Sequence, residues 1–413
     1  MNTPYFLIHE NILKENIDSF ADGLEKEWKN SQLCYSVKTN SLPWLLSYIN
    51  KHGILAEVVS DEEYALALAM GIPDRHIVFN GPIKGEHYFA RALEQGAVIN
   101  LDSKSDIQYL EKYSQIAAAP DRIGIRINVP CSIFDEVDIA FEEDGFRFGF
   151  SAETGEFQDV VNRLQKLFPS SGFGLHLHVN SVTRSRNVYQ ATARYAAHLI
   201  KSCHLKISFI DMGGGFFGGV EGKPTPAQYI QTIRSELENI IDCEKVKLYV
   251  EPGSAIIGST TDLVTSVLDR KETGSAVIVT TDGSRIHIDP LWKKKSYRYE
   301  IVAKETQAPV SHKKQIICGY TCMDYDRIMT LENVRTLQPE DQIVYQRVGA
   351  YSMTFGGAFI RYLPEVYVES DGKLVCVRSR MSTDDYVAMH SKKECENDKE
   401  SEKRNIQVWS DLP

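Results

Sequence analysis

The chain has 413 residues, of which 43% are hydrophobic and 25% are charged, and its formal net charge is −10. These fractions are typical of a globular protein, and the length predicts two or three domains. The acidic balance argues against nucleic-acid binding, which normally requires a basic surface. The sequence contains no apolar run long enough to span a membrane, so no membrane partner is predicted.

The N-terminal residues lack the basic and apolar segments of a signal peptide. The eight cysteines are scattered and form neither a CxxC pair nor a zinc-like cluster. A cytoplasmic protein with reduced thiols is therefore expected.

In chain order, the first predicted element is a strand at residues 5–8, which is followed from about residue 30 by alternating strand-length and helix-length segments. The strands of this alternating region are predicted at residues 33–37, 55–59, 76–79, 97–101, 122–127, 173–179, 207–210 and 246–250. Helices are predicted at residues 61–70, 86–95, 187–203 and 225–241. Ser60 and Thr225 are the expected caps of two of these helices.

Eight alternating β/α units predict an α/β fold built on a (β/α)₈ barrel, with a doubly wound open sheet as the alternative. After Gly258 the pattern changes to short β-branched or aromatic runs separated by Gly, Asp and Pro, which predicts an antiparallel β domain. Its strands are predicted at residues 264–267, 276–280, 286–288, 315–318, 342–345, 365–368 and 374–377. The predicted domains are the barrel (10–258), the β domain (1–9 plus 259–390) and a charged tail (391–413).

Chemically active side chains follow several predicted barrel strands, at the end where the active sites of such barrels lie. They are Lys38, Arg126, His178, Glu251 and the run 211–215, which reads Asp-Met-Gly-Gly-Gly. A lysine at a strand end can form a Schiff base with an aldehyde cofactor. Each residue alone is also compatible with a structural role, but their joint placement favours a site.

The physical roles of these groups agree with one cofactor. Gly213, Gly214 and Gly215 allow backbone N–H groups to approach a phosphate closely. Glu251 is suited to hold a proton on a heterocyclic nitrogen, and the His178 ring can stack on a flat cofactor. The sequence therefore predicts pyridoxal 5′-phosphate, rather than a nicotinamide, whose fingerprint is GxGxxG at the start of a helix.

A metal site is not predicted. The two histidines of the sixth barrel strand, His176 and His178, are expected to face opposite sides of that strand. On that expectation they are not natural ligands of one ion.

With these residues identified, the sequence resembles the fold-type III pyridoxal-phosphate decarboxylases, which include diaminopimelate, ornithine, arginine and carboxynorspermidine decarboxylases. The resemblance extends from about residue 3 to residue 388. Residues 35–40 resemble the lysine motif of the family, and residues 57–63 the motif of its second strand, with Glu57 where aspartate is common. The resemblance implies an alanine-racemase-like fold and a carboxy-lyase that acts on an amino acid.

The resemblance and the strand-end positions together assign cofactor binding to one set of residues. They are Lys38, Arg126, His178, Ser181, Gly213, Gly214, Gly215, Glu251, Gly253 and Tyr351. In this assignment Lys38 bonds to the cofactor and His178 stacks on its ring. Ser181 and Tyr351 approach the phosphate.

Residues 318–326 resemble the Cys-Gly-Pro-x-Cys signature of the family. In the family, the second cysteine reaches the active site of a neighbouring subunit and supports protonation after CO₂ leaves. By this resemblance Cys322 is catalytic, together with Lys38 and His178. Such a composite site implies a homodimer at least.

Three departures from the family pattern bear on the substrate. Ser254 stands where arginine usually follows Glu-Pro-Gly, and Asn180 replaces a motif glycine. Met323 occupies the position where the diaminopimelate and ornithine enzymes have an acid that recognises the distal amine. A thioether cannot pair with an ammonium group, so a simple diamine-type substrate is disfavoured unless Asp324 takes over that role. Met323 and Asp324 are the predicted substrate contacts.

The resemblance at Met323 points to branches that act on a modified or larger amino acid in polyamine, siderophore or antibiotic pathways. One alternative is an amino-acid racemase, although these enzymes place arginine rather than an acid such as Glu251 at the pyridine nitrogen. A non-catalytic cofactor-binding or regulatory homologue is the other alternative. The residues beyond Gly258 and the presence of Lys38 argue against it.

Overall fold

The computed structural model describes residues 1–139, 145–304 and 309–391. The predicted charged tail lies outside the described residues from position 392 onward. Within the described residues, the strands form two nine-stranded sheets, one parallel and closed, the other mostly antiparallel.

The strands are β1 (Tyr5–His9), β2 (Ser31–Ser36), β3 (Leu55–Val58), β4 (Ile77–Phe79), β5 (Val98–Leu101), β6 (Ile123–Asn128), β7 (Phe150–Ser151), β8 (Phe173–His176), β9 (Ile207–Asp211), β10 (Lys247–Val250), β11 (Thr261–Glu272), β12 (Ala276–Thr281), β13 (Arg298–Val302), β14 (Lys314–Cys318), β15 (Arg327–Leu331), β16 (Gln342–Gln346), β17 (Glu365–Ser370) and β18 (Lys373–Arg378). The helices are α1 (Glu10–Glu27), α2 (Pro43–Lys51), α3 (Asp61–Ala69), α4 (Glu86–Gln95), α5 (Lys104–Tyr113), α6 (Glu156–Leu167), α7 (Arg186–Ser202), α8 (Pro226–Leu237), α9 (Ser254–Ile257), α10 (Arg285–Ile288) and α11 (Thr383–His390). Across the described residues, every helix is too short or too polar to cross a membrane.

Eight parallel strands close into a barrel, in the order β2, β3, β4, β5, β6, β8, β9 and β10. Val250 of β10 pairs with Leu33 of β2, and Leu101 of β5 pairs with Ile125 of β6. The ring of pairings is therefore complete, which confirms the predicted (β/α)₈ barrel over the open sheet. The short strand β7 adds to β6 outside the ring.

The barrel strands are apolar runs because side chains fill the interior and helices cover the outer face. Both predicted helix caps are present. The Ser60 hydroxyl accepts a hydrogen bond from the Glu63 N–H at the start of α3. At the start of α8, Thr225 and Gln228 cap each other reciprocally, with Pro226 in the first helical position.

The second sheet contains the N-terminal strand. β1 lies between β11, to which it is antiparallel, and β17, to which it is parallel. β12 and β14 form a second parallel pair, so the sheet is mostly rather than wholly antiparallel. Phe6 of β1 is fully buried, which fixes the beginning of the chain in the core of this sheet.

Three local predictions in the second sheet were wrong or incomplete. Residues 286–288 form the helix α10 instead of a strand, because Ser284 caps it by accepting a hydrogen bond from the Ile286 N–H. The strands β13 and β15 were not predicted. β13 is largely exposed, and therefore lacks the hydrophobic pattern by which a strand is recognised.

Candidate active site

A cavity of about 400 Å³ opens at the carboxyl ends of the barrel strands. Its size lies within the range of small-molecule and cofactor sites. The predicted site residues that line it are Lys38, Arg126, His178, Ser181, Gly214, Gly215, Glu251, Gly253 and Tyr351. Gly213 lies directly beside them in the chain, so the residues predicted from strand ends are brought together in space.

Lys38 lies in a short 3₁₀ turn, Val37–Thr39, that begins where β2 ends. Its Nζ atom lies 2.6 Å from Glu57 Oε2, and 39% of its side chain is exposed to the cavity. Burial lowers the pKa of Lys38, but the charges of Glu57 and Glu251 outweigh it, so that the pKa is raised overall. Lys38 is therefore an ammonium group at neutral pH, already held at the cavity wall.

Asn80 connects the two acids of the cavity floor. Its side-chain nitrogen donates to Glu57 Oε1 at 3.1 Å and to Glu251 Oε1 at 2.7 Å. Its side-chain oxygen accepts a hydrogen bond of 2.8 Å from Asn100. The lysine end and the Glu251 end of the cavity thus belong to one hydrogen-bond network.

Asp211 joins this network from the end of β9. Its carboxyl group accepts hydrogen bonds from Asn100 at 2.9 Å and from the Gly213 N–H at 3.0 Å. Complete burial and the neighbouring charge of Glu251 raise the pKa of Asp211 far above its usual range. In its protonated form Asp211 donates a hydrogen bond to Glu251.

The side chains of His176 and His178 lie on the same side of the chain, although they were predicted to face opposite sides. His176 and His178 both line the cavity, because residues two apart in an extended chain point to the same side. A metal site was not predicted because the two histidines were expected to face opposite sides, and that expectation was wrong. The donor atoms of His176, Asp211 and Glu251 lie within 4.8 Å of one another. Both acids instead hydrogen-bond to side-chain amides of the network.

Both imidazoles are neutral. Burial lowers the pKa of His178 to about 3, with a further contribution from the charge of Arg126. Burial also lowers the pKa of His176 far below its usual value. His178 Nδ1 accepts a hydrogen bond of 3.2 Å from the Gly214 N–H, so the ring carries its proton on Nε2.

The glycine turn after β9 is required by its surroundings. Gly213 has a φ of +58°, and a Cβ atom there would lie 2.6 Å from the Cβ atom of His178. A Cβ atom on Gly214 would lie 2.6 Å from the carbonyl oxygen of Glu251. Only glycine permits this close approach between the turn, the histidine and the strand that carries Glu251.

Arg126 is held on two sides. Its Nη1 atom donates to Asp102 Oδ2 at 2.8 Å, and its guanidinium lies 4.4 Å from the centre of the Phe148 ring. Asp102 also accepts a hydrogen bond from the Gly149 N–H. The charge of Arg126 is thus balanced within the protein, and its position is fixed.

Ser181, Ser254 and Tyr351 also line the cavity, and Ser181 lies beside Gly214 and Gly215. Tyr351 comes from the segment between β16 and β17, and its backbone N–H donates to the Thr39 carbonyl at 2.9 Å. Arg184, which was not predicted, lines the cavity as well, and its Nη1 donates to Ser254 Oγ at 3.1 Å.

The residues predicted to meet the substrate lie elsewhere. Cys322 and Asp324 are exposed and Met323 is half-buried, and none of the three lines the cavity of its own chain. Their loop is fixed by the buried Asp326, which accepts hydrogen bonds from Ser284, Thr321 and the Arg285 N–H.

Sequence reasoning missed the cavity residues Asn80, Arg147 and Arg184, and also Asn100, which joins the hydrogen-bond network through Asn80. Asn80 immediately follows β4, and Asn100 interrupts an apolar strand, so the strand-end rule could have found both. Arg184 lies in an irregular loop after β8, where no spacing rule applies.

The residues present fit pyridoxal phosphate. The cavity combines an accessible lysine amine, an acid on its floor and a glycine turn, of which Gly214 and Gly215 line the cavity wall. Both ring nitrogens of the buried His176 also lack a hydrogen-bond partner among the described residues. A polar ligand in the cavity can provide one.

Comparisons with known proteins agree with this fit. The model of the family described as "Pyridoxal-dependent decarboxylase, pyridoxal binding domain" matches residues 14–258. Diaminopimelate decarboxylase of Aquifex aeolicus is 25% identical over 395 residues, covering 92% of this chain and 90% of that protein. The Zymomonas mobilis diaminopimelate decarboxylase is 26% identical over 406 residues, covering 95% and 93%.

Solved structures show the same fold. The Helicobacter pylori diaminopimelate decarboxylase complexed with L-lysine superposes with a TM-score of 0.79 at 22% identity, covering 94% of this chain and 97% of that one. The match includes the second sheet as well as the barrel. The chain belongs to the pyridoxal-dependent decarboxylases, and it is a carboxy-lyase that uses pyridoxal phosphate.

Proposed function

We propose that the chain removes the α-carboxylate of an amino acid that is larger or more modified than a simple diamino acid, in a polyamine, siderophore or antibiotic type of pathway. The observation that carries this proposal is Met323, which offers a thioether where recognition of a distal ammonium requires an acid. Asp326, the buried acid of the same loop, already accepts three hydrogen bonds and supports the loop.

The charges of the cavity support the same conclusion. Its two acids, Glu57 and Glu251, lie on the floor and are engaged by Asn80. Among the described residues, Arg147 lines the cavity without forming an ion pair. A substrate arm that bears an anionic or neutral polar group fits this arrangement better than one that ends in a second ammonium.

The side chains of the cavity have distinct roles in this proposal. Bound pyridoxal phosphate supplies an aldehyde that bonds to an amine and a ring that withdraws electrons. Lys38 would bond to this aldehyde, and Glu57 holds the lysine amine at the cavity wall. Glu251 would hold a proton on the ring nitrogen, and Asp211 supports Glu251. His178, whose Nδ1 accepts a hydrogen bond from Gly214, would pack against the ring.

Cys322 completes the site in this proposal, from a second copy of the chain. When the carboxylate leaves as CO₂, an electron pair remains on Cα, and the Cys322 thiol donates the proton that replaces the carboxylate. The exposure of Cys322 and its distance from the cavity of its own chain support a homodimer. Light scattering tests this assembly, and a monomer that releases CO₂ at full rate would contradict it.

A panel of amino acids tests the substrate class. We expect the purified holoenzyme to release CO₂ from large or acylated amino acids faster than from meso-diaminopimelate, ornithine or arginine. The variant Met323→Glu should shift this preference toward diamino acids, with Met329→Glu on β15 as a control outside the loop. Efficient decarboxylation of meso-diaminopimelate by the unaltered protein would overturn the proposal. Racemisation without CO₂ release would overturn decarboxylation itself.

A cytoplasmic location is part of the proposal. Six cysteines within the described residues, at positions 34, 203, 243, 318, 322 and 376, are free thiols, which is the state expected in a reducing compartment. Fractionation of the cells that produce the protein tests this location.

A further inference from the structure

Arg184 lines the cavity and has no acidic partner among the described residues. Lys38 is paired with Glu57, and Arg126 is paired with Asp102. The guanidinium of Arg184 instead donates to the neutral hydroxyl of Ser254 at 3.1 Å. A guanidinium has five donors, so most of its hydrogen-bonding capacity is available to a ligand.

The backbone of Arg184 adopts an unusual conformation, which fixes the position of its Cβ atom and the direction in which the side chain starts. Its φ is +52°, in the left-handed region that arginine adopts rarely. The Arg184 N–H donates to Ser181 Oγ at 2.9 Å, and the Tyr229 hydroxyl donates to the Arg184 carbonyl at 2.6 Å. Two hydrogen bonds thus maintain a strained turn, as occurs where position matters for binding.

The immediate surroundings of Arg184 suit an anion. Ser181 and Ser254 are both hydrogen-bonded to Arg184, Ser181 lies beside Gly214 and Gly215, and all four residues are neutral. The acids of the cavity, Glu57 and Glu251, are held in the network around Asn80. A multiply charged oxyanion beside Arg184 meets hydroxyls and a guanidinium, which forms strong charge-assisted hydrogen bonds.

We propose that Arg184 anchors the phosphate group of pyridoxal phosphate, so that a residue of the loop after β8 supplies the cation missing at position 254. This inference deepens the proposed function and rests on its cofactor, but not on its substrate. Since Arg184 and Ser254 are in contact, a guanidinium introduced from either position reaches the same end of the cavity.

Cofactor affinity tests the proposal directly. After the cofactor is removed, binding of pyridoxal phosphate and of pyridoxal, which has no phosphate, is titrated by absorbance. We expect Arg184→Ala to weaken binding of pyridoxal phosphate by about 10- to 100-fold and to leave pyridoxal binding unchanged. Arg186→Ala is the matched control, because Arg186 lies two residues further along the same segment but is exposed and does not line the cavity.

Two further variants keep the test decisive if Arg184→Ala is unstable. Arg184→Lys retains the charge but not the planar set of donors. Its affinity for pyridoxal phosphate should therefore fall between that of the unaltered protein and that of Arg184→Ala. The double variant Arg184→Ala/Ser254→Arg should recover most of the lost affinity. That recovery distinguishes phosphate binding from a purely structural role of Arg184.

Two results overturn the proposal. Equal weakening of pyridoxal phosphate and pyridoxal would mean that Arg184 only supports the loop. Unchanged cofactor affinity with a raised KM for the amino acid would assign Arg184 to the substrate instead. Because affinity is measured without any amino acid, a failure of the proposed substrate class leaves this test unaffected.

Discussion

The cavity at the barrel mouth and the loop of residues 319–325 carry two parts of the predicted chemistry, and they are built in opposite ways. In the cavity, Lys38, Glu251 and Arg126 are each fixed by hydrogen bonds or ion pairs to neighbouring side chains. In the loop, Cys322 is exposed to solvent and lies outside the cavity. The comparison teaches that the residues around Lys38 are preorganised within one chain, whereas the roles proposed for Cys322 and Met323 depend on the proposed dimer.

The largest effect is expected for Lys38→Ala, which removes the amine of the preorganised part. CO₂ release should fall by on the order of 10³-fold or more, because no other amine lies at that position. The fold should persist, since Ser36 and Asn80 still donate to Glu57. Lys104→Ala, at a lysine that is 83% exposed, is the control and should be neutral. A Lys38→Ala protein with normal turnover would remove the central assignment.

A mixing experiment tests the assembled part. Cys322→Ala alone should lower CO₂ release by about 10- to 100-fold without loss of stability, because the residue is exposed. Mixing and refolding equal amounts of the Lys38→Ala and Cys322→Ala proteins should restore about a quarter of normal activity, since half of the subunit pairs contain one intact composite site. No recovery in the mixture would show that each site is completed within its own chain.

Asp211 provides a finer test of the preorganised part. Asp211→Ala removes one hydrogen-bond partner from each of Asn100, the Gly213 N–H and Glu251, and should lower the free energy of unfolding by about 1–3 kcal/mol. Asp211→Asn should cost clearly less, because a neutral amide can still donate to Glu251 as a protonated carboxyl does. Urea unfolding at pH 7 measures both. Equal losses for the two variants would argue against a protonated Asp211.

The smallest effect is expected at His9, which lies between Asp262 and Glu369 at 3.1 and 2.8 Å. The hydrogen bond to Asp262 raises the pKa of His9 above its usual value, against the opposing effect of burial. The stabilisation is therefore complete below the pKa of an unfolded histidine, about 6.5, and is lost as the pH rises through the raised value.

His9→Gln should therefore lower the free energy of unfolding by about 0.5–1 kcal/mol at pH 5.5 and by much less at pH 9. Thermal unfolding of both proteins at the two pH values measures the difference. A penalty that does not change with pH would show that packing, rather than charge, explains the role of His9.

The barrel was predictable because its signal is periodic. Eight apolar runs separated by helix-length segments leave few other folds, and their positions agree with the strands to within a few residues. The helix α10 was not predictable from hydrophobicity, since Ile286 and Ile288 also suit a strand. What decides its conformation is the Ser284 cap, whose hydroxyl is in turn held by Asp326 from a distant part of the chain.

The candidate site was predictable where the strand-end rule applies, as at Lys38 and Glu251. Arg184 escaped prediction because its position depends on a strained turn and on a contact with Ser254, seventy residues away. The orientation of His176 could have been predicted correctly from the alternation of side chains along a strand. Because His176 and His178 are two residues apart, they point to the same side. The pairing of Cys322 with a second copy remains a prediction.

The hydrogen bonds of the Asn80 amide limit where substitutions can alter the substrate preference of this protein. One planar group ties three strands of the barrel together through Glu57, Glu251 and Asn100. Any substitution inside that ring alters cofactor chemistry and folding stability at once, which makes the barrel mouth a poor place to engineer a new substrate preference. Met323 shares none of these hydrogen bonds, so under the proposed function a substitution at Met323 can alter the substrate preference while this network is unchanged.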